Sequence, residues 1–140
     1  MMQFVWLNTD IVDNLNLSLL FLNNGYQYDY RLFENGTNHS MTKNIFNQTF
    51  GGRMMLTPGD FNFHASAYYT MGKDTEDRDL SAFYVGLGLD YELADNWDLG
   101  IGWEHLSGTD QKDMMENPDT YKNKSFNPFY GSSHKFNGFM

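Results

Sequence analysis

Between positions 61 and 71 the chain alternates. Phe61, Phe63, Ala65, Ala67, Tyr69 and Met71 are apolar or aromatic, and Asn62, His64, Ser66 and Thr70 between them are polar, with Tyr68 the one even-numbered ring. A period of two predicts a β-strand with two unlike faces. The same parity returns in Phe83, Val85, Leu87, Leu89, Tyr91 and Leu93, set against Tyr84, Gly86, Gly88, Asp90 and Glu92. It returns again in Trp97, Leu99, Ile101 and Trp103, set against Asp98, Gly100, Gly102 and Glu104. Phe50, Gly52, Met54 and Leu56 make an even-numbered apolar face opposite Thr49, Gly51, Arg53 and Thr57, which predicts a fourth strand. Met2 to Asn8 predicts a first one. Leu15 to Leu22 is strand-like but apolar on both sides toward its end, so a short helix stays open there. Abundant Asn and Gly count against helices elsewhere.

Residues on the same side of paired strands must have compatible numbers, so the connections test this pattern. A three-residue loop Ala94-Asp95-Asn96 sets Leu93 opposite Trp97, with Asn96 in the left-handed conformation that Asn tolerates. A four-residue loop Thr57-Pro58-Gly59-Asp60 carries the apolar face from even to odd numbers, as the flanking strands require. Short turns, these two and one near Asp10 to Asp13, alternate with polar loops at Asn23 to Asn44, Gly72 to Asp79 and Ser107 to Lys135. Short turns at one end and long loops at the other are the habit of outer-membrane barrels.

Dimensions agree with that habit. The eight steps from Phe61 to Tyr69 span about 26 Å at roughly 3.3 Å per residue, which a tilt of about 40° reduces to about 20 Å, near the roughly 25 Å apolar band of such barrels. Phe61, Tyr91 and Trp97 fall beside short turns; Tyr69, Phe83 and Trp103 fall beside long loops. They are the candidate aromatic girdles. About six strands are legible, whereas single-chain barrels have at least about eight, and an open sheet in lipid leaves backbone edges unpaired. The expected fold class is therefore all-β, an antiparallel up-and-down transmembrane β-barrel. Residues 1–140 are expected to supply about six strands of a larger barrel, as one incomplete domain.

Composition narrows the function classes. The net charge of -9, from 9 Lys and Arg against 18 Asp and Glu, argues against a nucleic-acid partner. With no cysteine, disulfides, thiolate metal sites and cysteine nucleophiles are excluded. Aromatic residues make up 17% of a chain that is polar on average, with a mean hydropathy of -0.57. Rings with polar tips suit the boundary between an apolar slab and water. No run reaches the roughly 18 apolar residues of a membrane-spanning helix, which leaves a closed barrel as the way to cross. No secretory signal stands at Met1 to Asp10, so the start is expected to be internal to a longer protein or to follow a removed signal.

The tail Ser125-Phe126-Asn127-Pro128-Phe129-Tyr130-Gly131-Ser132-Ser133-His134-Lys135-Phe136-Asn137-Gly138-Phe139-Met140 resembles a segment of bacterial outer-membrane proteins of the alginate-export family. Leu99-Gly100-Ile101-Gly102-Trp103-Glu104-His105-Leu106-Ser107-Gly108-Thr109-Asp110 resembles the strand that precedes it there, while Ser132-Ser133 stands where that family has Thr-Asn. The resemblance covers the last third of the chain. It implies a monomeric barrel of about eighteen strands through which polysaccharide or small solutes diffuse across the outer membrane.

Candidate chemistry follows from the faces. The inward, pore-lining positions are Arg53, His64, Ser66, Tyr68, Asp90, Glu92, Asp98 and Glu104. An anionic polymer needs cations along its path, and Arg53 alone is firmly cationic. Gly86, Gly88, Gly100 and Gly102 alternate inward and either make room for an inserted loop or permit curvature. Lys73-Asp74-Thr75-Glu76-Asp77-Arg78-Asp79 lacks the glycine and late glutamate of a calcium loop and is expected to be a solvated tip. Ser133 and His134 point to opposite faces of a strand, with no third group to complete a catalytic set. No enzyme, metal or cofactor is expected. The leading reading is a passive outer-membrane channel whose partners are lipid and a saccharide or small solute. One alternative is a soluble lipocalin-like barrel with Trp97 and Trp103 buried around an apolar ligand; another is a barrel in the same membrane that transports nothing.

Overall fold

The computed structural model describes residues 1–34, 37–94, 97–118 and 120–128. Six strands form one sheet: β1 (Met2–Val12), β2 (Leu15–Glu34), β3 (Thr37–Leu56), β4 (Phe61–Lys73), β5 (Asp79–Ala94) and β6 (Trp97–Leu106). Each is antiparallel to the next in sequence, so the sheet is an up-and-down meander in the order β1 to β6. Among the described residues it does not close, and β1 and β6 have one pairing neighbour each. Leu15 to Leu22 belongs to β2, so the open choice between helix and strand falls to strand. One six-residue helix, α1 (Gln111–Glu116), follows β6, started by the Asp110 side chain accepting from the Lys112 N–H.

Register sorts every strand into the same two faces. Leu7, Leu19, Gly52, Ala67 and Val85 stand in one row across five strands, as do Leu17, Met54, Ala65, Leu87 and Trp103. The even numbering of β3 and the odd numbering of β4 meet on this apolar face, because Met54 pairs with Ala65. Gly59, with φ 62°, makes the turn between them in a conformation that a side chain disfavours. The opposite face holds the buried side chains: Leu22, Asn24, Ile45, Asn47, Thr49, Thr70, Leu80, Ala82 and Tyr84. Such core as there is therefore lies on the polar side.

Several expectations need correction. Asn23 to Asn44 is not a loop, since β2 and β3 run for 20 residues each and pair as far as Glu34 with Thr37. Tyr26, Tyr28 and Tyr30 share a face with Ile45, Lys43 and Met41 there, and strand pairing is sustained without an apolar face opposite. Polar residues at both parities erase the period-two contrast while leaving the backbone ladder intact. Gly72 to Asp79 shrinks to 74–78, because β4 extends to Lys73 and β5 begins at Asp79. Leu93 does not face Trp97: Ala94 does, with a bulge between Glu92 and Ala94 that takes up the extra residue. Faces are unchanged below it, where Tyr91 pairs with Leu99. Ser107 to Lys135 is not wholly loop, since it contains α1 and a bridge from Asn123 back to Leu80. Asn96, Ser133, His134 and residues 129–140 of the tail lie outside the described residues.

Candidate functional site

The polar face assembles from alternate residues of all six strands. Arg53, Ser66, Gly86 and Glu104 occupy one row, His64, Gly88 and Gly102 the next but one, Asp90 pairs with Gly100, and Glu92 pairs with Asp98. Tyr68 pairs with Tyr84. All eight candidate lining residues thus share one face of one sheet. His64 Nδ1 lies 3.8 Å from Asp90 Oδ2, and Asn62 Nδ2 donates to the same oxygen at 3.4 Å. The Tyr84 hydroxyl donates to Glu104 Oε1 at 3.0 Å, and the Tyr68 and Tyr84 rings lie 6.1 Å apart.

Other members of this face escaped the sequence reading. Asn8 accepts from Ser18 at 2.7 Å, Asp10 accepts from Asn16 at 2.8 Å, and the Thr49 and Thr70 hydroxyls share a bond of 2.8 Å. Lys43, hidden in the supposed loop, is a second cation on the face and pairs with Asp77. Extending the parity of Arg53 up β3 would have found it. A Cβ on Gly88 would fall 2.2 Å from His64 Nε2, and one on Gly86 2.4 Å from Tyr84 Oη. These glycines leave room for side chains lying flat across the face.

At the long-loop end, Asp74 is the hub. Its Oδ1 accepts from the backbone N–H groups of Glu76 and Arg78 at 2.9 and 3.0 Å, and its Oδ2 from Arg78 Nε and Asn123 Nδ2 at 2.8 and 2.9 Å. Burial pushes the carboxyl pKa up, but the bonds from Asn123, Arg78 and Glu76 to the charged form outweigh it and leave the value lowered. Asp77 closes the turn at φ 64°. The expected solvated tip is therefore wrong for Asp74, which is 8% exposed. Carboxylate density promised solvent, but hydrogen bonds to all four lone-pair positions replace it. Asn47, Thr70, Asp74, Arg78, Leu80, Asn123 and neighbours line a cavity of about 120 Å³ beside this hub. Among the described residues no group of three acidic, His or Cys side chains is placed to hold a metal.

Among the described residues nothing covers the apolar face. Phe21, Phe50, Tyr69 and Phe83 form one row in register across four strands, with the Phe50 and Tyr69 rings 5.5 Å apart. Trp103 pairs lower, with Leu87, and meets the row through His105, whose ring lies 5.4 Å from Phe83 and 6.0 Å from Trp103. At the short-turn end Phe61 and Tyr91 pair with ring centroids 4.6 Å apart. On the edge strand β6 of this open sheet, Trp97 and Trp103 are 73% and 54% exposed.

A family model described as "Putative MetA-pathway of phenol degradation" matches residues 21–117, more than half of the chain. The match spans most of β2, all of β3 to β6 and α1, and ends before Ser125, where the segment resembling the alginate-export family begins. Searches of the curated proteins and of the solved structures returned no match.

Proposed function

The chain belongs to the phenol-degradation MetA-pathway family, a family of outer-membrane-type β-barrel proteins, and from that premise we propose that it is part of the wall of a passive channel in the bacterial outer membrane. The apolar face meets lipid and the polar face meets the aqueous passage. The observation that carries this reading is the contiguous apolar face, on which Leu7, Phe21, Phe50, Phe83, Leu87, Leu99, Ile101 and Trp103 are all exposed. Soluble monomers rarely expose apolar patches beyond a few hundred Å², and lipid removes that penalty. In lipid the edges of β1 and β6 that have no strand partner among the described residues need one, and further strands of a larger monomeric barrel supply them.

Small neutral solutes are the cargo that this wall favours. Asp90, Glu92, Asp98 and Glu104 outnumber Arg53 and Lys43, which disfavours a polyanion such as alginate, and the family's description points to phenols. The chain catalyses nothing in this reading; it lets a substrate reach enzymes elsewhere. Proteoliposomes carrying the full-length protein should swell in small neutral solutes, phenol included, and resist alginate oligomers. Partition of the protein into the aqueous phase after detergent phase separation, or no swelling in any solute, would sink the proposal.

A further inference from the structure

After β6 the chain leaves the sheet, forms α1 and comes back. Asn123 joins the rim of β5: its carbonyl accepts from the Ser81 N–H at 2.8 Å and its N–H donates to the Asp79 carbonyl at 2.7 Å. Three residues on, Phe126 stacks on Tyr84 with centroids 5.7 Å apart, and Tyr84 is a polar-face residue bonded to Glu104. The returning segment therefore lies over the polar face and not over the lipid-facing one. At this end of β5 the polar-face residues Leu80, Ala82 and Tyr84 are buried, while Glu92 at the other end is exposed.

What holds the segment is local and polar. Asp74 receives Asn123 Nδ2 at 2.9 Å, and Arg78, itself bound to Asp74, donates through Nη1 to the Tyr121 hydroxyl at 2.5 Å and sits 4.8 Å from that ring's centroid. Ser107 accepts the Phe126 N–H at 2.9 Å through its carbonyl and donates its hydroxyl to the Lys124 carbonyl at 2.6 Å. The 74–78 turn is tied in the same way to the long hairpin, through Lys43 and Asp77. Three outer connections thus meet around one hub, and Phe126, itself half-buried, is the large apolar side chain that the segment lays on the sheet. A segment held at the rim of the sheet by polar bonds to turns and loops opens more readily than the paired strands beneath it.

We propose that residues 120–128 are a strap that narrows the passage at its long-loop mouth, and that Asp74 and Arg78 are the latch whose release widens it. The inference rests on the channel reading, so its test has two readouts. The first is cleavage by trypsin after Lys122 and Lys124 in detergent-embedded full-length protein, which reports the latch whether or not anything conducts. Asp74→Ala should speed cleavage about tenfold, because proteolysis tracks the population of the open segment, and Asp74→Asn should give a smaller increase. The second is single-channel conductance in planar bilayers. Asp74→Ala and Phe126→Ala should each raise it, roughly up to twofold for a mouth constriction.

The native chain has no cysteine, so Leu80→Cys combined with Asn123→Cys places one disulfide across the β-bridge. Oxidised, that protein should resist trypsin and conduct at the wild-type level or below; a reductant should raise both cleavage and conductance. Unchanged cleavage in Asp74→Ala overturns the latch. Faster cleavage with conductance unchanged in every variant overturns the constriction while leaving the channel reading intact. No conductance in any variant, with faster cleavage, overturns the channel reading and the strap's role in it.

Discussion

Asp74 is where a single residue departs most from its sequence expectation. A run of acids next to Arg78 looks like solvated charge, yet one carboxylate organises the turn and the returning segment. Because its pKa is lowered in the folded protein, the contribution of Asp74 is complete above the ordinary carboxylate value of 3.8 and is lost as pH falls through the lower folded value. The Glu76 and Arg78 amide resonances should accordingly hold their positions down to about pH 4 and move only below it. Asp74→Asn should abolish that movement. Amide shifts completed above about pH 5 would contradict the assignment. The four neighbouring acids gave no sign of which would be buried, because burial here comes from Asn123 and Tyr121, more than 40 positions away.

On the scale of elements, two-sided strands were legible and uniformly polar ones were not. β4, β5 and β6 follow from their alternation, and the Thr57 to Asp60 turn follows from parity. The upper halves of β2 and β3 were read as loop, since Tyr26, Tyr28, Tyr30 and their neighbours give no consistent apolar parity. What makes them strands is twenty paired positions in one hairpin, beginning at Leu15 and Leu56. Face assignment can be tested on paired strands. Leu87→Arg puts a charge on the apolar face at a cost of roughly 2 to 4 kcal/mol near a bilayer midplane, and assembly in membranes should fail. Gly102→Arg lies on the polar face, where a Cβ meets only the Leu87 carbonyl oxygen at an ordinary 3.6 Å, and assembly should proceed. Membrane-assembled yields, read by heat-modifiable electrophoretic mobility, separate the two; equal yields would mean that the faces are wrongly assigned.

For the whole molecule, the proposed channel would make the two faces a lipid side and a water side, with charge along the second setting selectivity. Glu92 pairs with Asp98 and Glu104 lies one row from Tyr84, so the acidic groups cluster on β5 and β6, while Arg53 and Lys43 stand apart on β3. Wall charge acts over about a Debye length, roughly 8 Å at physiological salt, so distant strands offset it only in part. Reversal potentials across a planar bilayer under a salt gradient should show no strong anion preference, and Asp90→Asn with Glu92→Gln should weaken any cation preference. Strong anion preference that persists in Arg53→Ala would mean that other strands set selectivity.

The parity of the faces and the count of six strands were fixed locally, because side-chain direction in a strand depends only on position modulo two, whereas the long loop expected from Asn23 to Asn44 is paired strand. An apolar face was also readable, since rings such as Phe61, Tyr69 and Phe83 recur at one parity. Only the tertiary structure decided which polar residues are solvated and which are held. It placed Phe126 on Tyr84, Asn123 on Asp74 and Lys43 on Asp77, contacts across 42, 49 and 34 positions. No period in the sequence encodes such pairs: they depend on where a connection lands after leaving the sheet, and that is set by the hydrogen bonds awaiting it.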